Sequence, residues 1–502
     1  MKAFRRVLTM LPFVLIQVAI IVLIFTLLEP IAPIITVILM IFTIFIVLFI
    51  ATRRMEGSYK IIWLIFVAVL PIPGTICYLC FGNRSTVKKI MENILNAKSK
   101  LPALPKKKLP EIPCKTPYDE RLKSSLNYVE KRADFPTEVC EDVQYYPLGE
   151  VFWEAMLEEM KKAEKFIYLE FFIVMDGKMW GAMCDIMAEK IKAGVDVRFI
   201  YDDLGSLGTF STSDTKKLDA MGMKYFAFNR IRFLTGSINN RTHRKMMIID
   251  GKTAFSGGNN LSDEYINVTH PHGHWKDIGF KITGPAVKNY LHMFMQFWNA
   301  YSKDQIPASV LDTCPKTPVK QNGYVLSYYD SPAYTEPVSN NFILEMLGNA
   351  TKYAWFYTPY LILSDSIQDA LVRAAQRGVD VRIIMPGIPD KKLVFTMSRS
   401  YYYELIDAGV KIYEYTPGFV HAKASLYDDE LCTIGTVNLD YRSLYLHFEN
   451  NSIFWNTSVL QDLKKDFLDT QSKCKLMTAN DLEHRAIPLF FISIIRLFAP
   501  LF

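Results

Sequence analysis

Apolar residues dominate the start of the chain in three blocks, 7–28, 34–51 and 61–81, with Glu29-Pro30 and Pro33 separating the first two. Each of the first two blocks is long enough to cross a bilayer as a helix, which predicts a helical hairpin with a very short outer turn. Pro71, Pro73 and Gly74 interrupt the third block, which predicts a re-entrant or interfacial segment. A secretory signal peptide would have a shorter apolar core and a small-residue cleavage site, and neither is present. From residue 97 to 117 the composition shifts to Lys and Pro, as in Pro105-Lys106-Lys107-Lys108-Leu109-Pro110, and predicts an extended linker.

Beyond residue 139 the pattern changes to alternating strand-like and helix-like segments. Positions 166–174 form a β-branched and aromatic run, 180–193 has helical spacing ended by Gly194, and 195–201 is again strand-like. The same order returns at 353–361, 367–377 and 379–385, with Gly194-Val195-Asp196-Val197-Arg198 echoed by Gly378-Val379-Asp380-Val381-Arg382. Such alternation predicts an α/β body in two copies, with helices covering a mostly parallel sheet.

One motif sits at equivalent places in both copies. His243, Lys245, Asp250, Gly257 and Asn260 match His421, Lys423, Asp428, Gly435 and Asn438 in His-x-Lys-x4-Asp-x6-Gly-small-x-Asn. Strand alternation puts His and Lys of each copy on one face. The Asp has the opposite parity and stands before a turn, so it reads as a strand-end support more than a reacting group.

Composition adds limits. The net charge of +6 is modest for a polyanion-binding protein, so no nucleic-acid partner is expected, and it suits an anionic membrane surface. Eight scattered cysteines read as reduced thiols packed as small apolar residues. Basic residues before the first block (Lys2, Arg5, Arg6), after the second (Arg53, Arg54, Lys60) and after the third (Arg84, Lys88, Lys89) violate the positive-inside rule if all three span. Two spans put the body on the cytoplasmic face.

Two His-x-Lys units facing each other suit phosphoryl transfer. One neutral imidazole attacks phosphorus, the other moves protons, and two lysines with asparagine amides hold the non-bridging oxygens. The lysines supply the positive charge, so neither metal nor cofactor is required. The His270-Pro271-His272-Gly273-His274 run has the look of a metal segment, but it lies in a polar loop without nearby cysteines.

These residues resemble the phospholipase D superfamily, and within it the bacterial cardiolipin synthases, over nearly the whole chain. Supporting stretches include Gly257-Gly258-Asn259-Asn260 with Glu264-Tyr265, Trp275-Lys276-Asp277, and Gly435-Thr436-Val437-Asn438-Leu439-Asp440. The resemblance implies two tandem phospholipase D-like α/β/α sandwich domains related by pseudo-twofold symmetry, preceded by an N-terminal transmembrane helical region. The implied divisions are 1–82 membrane region, 83–138 Lys/Pro-rich linker, 139–312 and 313–485 catalytic domains, and 486–502 an apolar interfacial segment.

It further implies a catalytic set of His243, Lys245, Asp250, His421, Lys423 and Asp428, with Asn260, Asn438, Glu264 and Glu449 binding phosphate or supporting the site. Family practice makes His243 the nucleophile and His421 the acid/base; sequence symmetry allows the reverse. The implied reaction moves a phosphatidyl group from one phosphatidylglycerol to another in a bacterial cell membrane, through a phosphohistidine. A membrane-bound phospholipase D, a transferase with another acceptor, a nuclease and a non-catalytic scaffold are the alternatives. A homo-oligomer in the membrane is compatible with the sequence and not required by it. One departure is His447, where the family more often has Asn.

Overall fold

The computed structural model describes residues 12, 15–23, 32–53, 55–82, 85–104, 117–231, 239–334, 336–483, 496 and 498–499. The chain divides into two compact units. One comprises Met1–Thr86, Arg232–Asn239 and Ile487–Phe502; the other comprises Val87–Ile231 and Asn240–Ala486.

In the first unit, Ala32–Thr52 is a 21-residue helix without a charged residue. Its apolar side chains are largely exposed: Ile34, Ile38, Ile41 and Phe45 all stand open, while Ile46 and Ile50 are buried. Among the described residues no helix is long and apolar enough to cross a membrane; the side chains of Ala32 and Ile35 fall outside the description. Most of the first expected span, 7–28, and nearly all of 486–502 lie outside the described residues too.

The third apolar block is broken where its prolines stand. Gly57–Val69 ends at Leu70, and a second helix, Pro71–Cys77, begins with Pro71 in its first turn. A Cβ at Gly74 would collide with the backbone of Phe66 and Val67. In a straight helix those residues are two turns away, so the block bends back on itself.

The second unit holds both copies of the repeat, and its strand order shows the duplication directly. The first sheet runs Asp142–Tyr146, Gly279–Thr283, Thr253–Gly257, Met246–Ile249, Phe166–Phe171, Asp196–Asp202, Lys224–Phe228. The second runs Tyr324–Asp330, Glu449–Trp455, Leu431–Gly435, Ala424–Tyr427, Tyr353–Tyr357, Asp380–Pro386, Lys411–Tyr415, with Glu138–Val139 and Cys474–Leu476 added at its two edges.

These sheets are mixed, which corrects the expected mostly parallel arrangement. In each, only the last three strands of that order pair parallel, as in Phe166–Phe171 with Asp196–Asp202. The reason is local. The motif strand and its successor form a tight hairpin, Met246–Ile249 with Thr253–Gly257 and Ala424–Tyr427 with Leu431–Gly435. The connections 250–252 and 428–430 are three residues long, and Asp250 and Gly251, like Asp428 and Asp429, take the positive φ that such tight turns need.

A second correction concerns 83–138. Within the expected linker, Ser85–Lys98 and Pro117–Ala133 are helices, and Glu138–Val139 is an edge strand of the second sheet. Leu122, Leu126 and Val129 recur at helical spacing and are buried, a face that earns the helix its place in the core. Most of the Lys/Pro-rich stretch, 105–116, lies outside the described residues.

Candidate active site

Two short pairings between the halves build the site. Gly418–Val420 lies parallel to His274–Lys276, with Val420 opposite Lys276, so the next residue on each strand is His421 and Asp277. Thr242 bridges Phe448 in parallel, so the next residues are His243 and Glu449. Backbone bonds hold both registers: His421 N–H donates to Lys276 O at 2.7 Å and His243 N–H to Phe448 O at 2.8 Å.

Each histidine therefore meets an acid from the opposite half. His243 Nδ1 lies 3.0 and 2.9 Å from the two carboxylate oxygens of Glu449, and His421 Nδ1 lies 2.7 Å from Asp277 Oδ2. A carboxylate at Nδ1 fixes the proton there and leaves Nε2 with its lone pair. Lys423 Nζ also approaches His421 Nδ1 at 2.7 Å, but a protonated Nδ1 has no lone pair for it, and the Asp277 contact decides the tautomer.

Lys245 Nζ donates to His243 O at 2.7 Å, and Lys423 Nζ donates to His421 O. All four side chains are buried. The lysines sit two residues past their histidines, in segments that precede the strands Met246–Ile249 and Ala424–Tyr427.

Burial dominates the electrostatics. It holds His243 well below the usual imidazole range, with Lys245 and Lys423 pushing the same way. It brings His421 down to about 4, with Lys423 adding and Asp277 opposing. Lys423 is lowered to about 8 by burial, against the pull of Asp277 and Glu449; Lys245 is lowered by burial and then by Lys423. Burial alone would raise the Asp277 carboxyl, but His421 and Lys423 hold it below its ordinary value. Two imidazoles and two lysines, all depressed by burial and by neighbouring positive charge, make a pocket that an anion relaxes.

A family model described as cardiolipin synthase, phospholipase D-like domain, matches residues 156–298 and 343–470. A Bacillus anthracis protein named cardiolipin synthase 2 is 33% identical over 91% of this chain and 88% of its own length. The chain belongs to the phospholipase D-like cardiolipin synthase family. A second family model, phospholipase D-nuclease N-terminal, matches 38–83. An uncharacterized protein of Streptococcus mutans serotype c is 39% identical, covering 91% of this chain and 99% of its own. In fold, the chain is similar to the phosphatidylserine synthase of Haemophilus influenzae Rd KW20, with a TM-score of 0.57 at 16% identity over 75% of this chain and 97% of that one.

The family motif's other residues fall outside the reacting centre. Asp250 accepts from the backbone N–H groups of Glu164, Lys165 and Phe166 at 2.8–2.9 Å. Asp428 does the same for Thr351, Lys352 and Tyr353 at 2.7–2.8 Å. Each aspartate thus ties its motif hairpin to the start of the neighbouring strand. Removing such an acceptor strands three N–H donors, so Asp250→Ala is expected to lower the melting temperature by roughly 5–10 °C. The folded remainder should keep its kcat. An unchanged melt with lost turnover would make Asp250 a reacting group.

The asparagines and Glu264 serve their own halves. Asn260 accepts from Ile173 N–H at 3.1 Å and donates to the Tyr265 hydroxyl at 2.6 Å. Asn438 donates to Asp440 at 2.8 Å, and Glu264 accepts from the Ser262 hydroxyl.

Asp277 is the functional residue that motif spacing missed. Its signal was positional: it stands just before Gly279–Thr283, the strand equivalent to Glu449–Trp455, which begins with Glu449. The small position after each motif glycine faces these acids. A Cβ at Gly258 would collide with the Asp277 carboxylate, whereas Thr436 fills the equivalent place and donates its hydroxyl to Glu449.

Buried neutral histidines also set an acid limit on the fold. His292, buried beside Gln296 at 2.7 Å, is pushed down to about 4 by burial and then Lys98. A folded-state pKa below the ordinary value means the unfolded chain binds the proton first. That stability is complete above about pH 6.5 and is lost as pH falls toward 4. Asp330, pushed up to about 6 by burial, acts in the opposite sense. The difference between wild type and His292→Gln isolates the histidine: melting between pH 7 and 4.5 should fall less steeply in the variant.

Proposed function

We propose that the protein is a cardiolipin synthase that condenses two phosphatidylglycerol molecules into cardiolipin and glycerol. The observation that carries this reading is the crossed pair of imidazole–carboxylate contacts flanked by Lys245 and Lys423, in a chain whose relatives are named cardiolipin synthases.

The arrangement divides the labour as follows. His243 Nε2 attacks the phosphorus of the first phosphatidylglycerol, and the P–O bond to the headgroup glycerol breaks. His421 Nε2 gives its proton to the departing alkoxide, leaving a phosphatidyl group on His243 and neutral His421. The hydroxyl of a second phosphatidylglycerol then loses its proton to His421 and attacks the same phosphorus, releasing cardiolipin and restoring His243.

Burial and then the adjacent lysine lower both imidazoles, and each has a carboxylate at Nδ1, Glu449 for His243 and Asp277 for His421, so the division of roles follows the family resemblance. An anionic phosphodiester between the lysines offsets their field and raises His421 toward the protonated form an acid needs. Lys245 and Lys423 hold the non-bridging oxygens as charge builds on them.

We also place this unit at a membrane, its catalytic body on the cytoplasmic side. A substrate with two acyl chains stays in the bilayer. The uncharged helix Ala32–Thr52 with outward apolar side chains, and the arginines that follow it, suit an anchor there. Purified protein given phosphatidylglycerol alone should yield cardiolipin and glycerol in equal amounts. Phosphatidic acid without cardiolipin would instead identify a hydrolase.

A further inference from the structure

His447 stands against the nucleophile's carboxylate and is not used by the transfer chemistry. It is buried, yet both its ring nitrogens lack a hydrogen-bond partner among the described residues. Its Nδ1 is 3.8 Å from Glu449 Oε1, too far for a hydrogen bond. Its ring centroid is 5.8 Å from that of His243 and 6.4 Å from that of Phe172. A buried imidazole with two idle nitrogens is desolvated without return, and it normally finds a partner.

The neighbours suggest which partner. One ligand atom each from His243, His447 and Glu449 lie within 4.8 Å of one another. Two imidazoles and a carboxylate form the donor set of a three-ligand zinc site, with metal–ligand distances of about 2.0–2.2 Å and a fourth position open. Closing the three to that spacing requires the His447 ring to turn toward Glu449, from which its Nδ1 now stands 3.8 Å away. The loop histidines that resemble a metal run are not gathered in this way: His274 Nδ1 meets the Tyr415 hydroxyl at 3.1 Å, and His272 packs near Trp275 and Phe419.

We propose that His243, His447 and Glu449 bind a divalent transition-metal ion of the zinc class, and that this ion inhibits the enzyme. Binding replaces the Nδ1 proton of His243, which is released to solvent, and takes the Glu449 carboxylate from the ring. The metal withdraws electron density from the imidazole, so Nε2 becomes a poorer nucleophile. Inhibition rests on His243 being the nucleophile; the binding site does not. His447 is what completes the donor set, since an amide at that position offers no imidazole.

The test uses the full chain in detergent micelles, stripped with EDTA, with zinc chloride for turnover and cobalt chloride for absorption. Zinc should inhibit saturably and EDTA should restore the rate. In His447→Asn the half-inhibiting concentration, relative to that variant's own metal-free rate, should rise at least about tenfold. Cobalt should bind at one per chain without a sulfur charge-transfer band, persist in His272→Ala, and be lost in His447→Asn. If His447→Asn fails to fold, X-ray absorption of the zinc-loaded wild type decides, with a two-imidazole, sulfur-free shell expected. Absent binding, a sulfur shell, or equal zinc sensitivity in the variant overturns the site and leaves the transferase reading standing. Metal bound at two imidazoles with unchanged turnover overturns the inhibitory role and counts against His243 as nucleophile.

Discussion

His243→Ala is expected to abolish phosphatidyl transfer, a loss of about a millionfold that reaches the detection floor. In the proposed mechanism its Nε2 forms the covalent bond, and the neighbouring His447, whose Nδ1 is 3.8 Å from Glu449, is not hydrogen-bonded to a carboxylate that could orient it in its place. Glu449, the only described acid at its Nδ1, would be left buried without its ring partner, and overall fold should survive because the backbone bond from residue 243 to Phe448 O remains. His421→Ala should be as slow in full turnover but different in kind. It keeps the nucleophile and loses the proton carrier, so a substrate with a good leaving group should still phosphorylate it. Separate phosphoenzyme and turnover assays distinguish the two variants. Equal phosphoenzyme in both would deny the division of roles.

Glu449→Gln is the second large effect, expected at about 10³–10⁴-fold in kcat with little change in melting temperature. The amide can hold the ring but cannot stabilise the charge that Nδ1 carries once Nε2 has bonded to phosphorus, and it favours the wrong tautomer. Asp277→Asn should cost a similar factor through His421. Because each acid acts through one histidine, adding Glu449→Gln to His421→Ala should slow phosphoenzyme formation from a substrate with a good leaving group, and adding Asp277→Asn should not. Equal slowing by both acids would place Glu449 outside the His243 unit.

The repeated His-x-Lys-x4-Asp made the duplication legible, and strand parity set Asp250 and Asp428 apart from the His-Lys face; each accepts three backbone N–H bonds beside its hairpin. The strands at 166–171 and 196–202 were legible for the same reason: short apolar runs bounded by Gly or charged turns. The mixed sheet was less so. Alternating α and β segments suggest parallel pairing, whereas the hairpins turn on the φ > 0 tolerance of Asp250-Gly251 and Asp428-Asp429, a weaker sequence signal.

The crossing of the acids left no trace in motif spacing. Glu449 is distant in sequence from His243, and Asp277 from His421; only the cross-half pairings Thr242–Phe448 and Val420–Lys276 bring them together. Sequence spacing reports what lies on one strand. It says nothing of which strand of the other half will lie beside it.

The most direct test of a single shared site is to find where the phosphatidyl group rests. Wild type and His243→Ala would be mixed with phosphate-labelled phosphatidylglycerol, quenched in milliseconds at alkaline pH, digested and read by mass spectrometry. Label is expected on the wild-type peptide containing His243 and none in His243→Ala. Label on His421 in the His243→Ala protein, or transfer with no phosphohistidine in either half, would contradict that expectation.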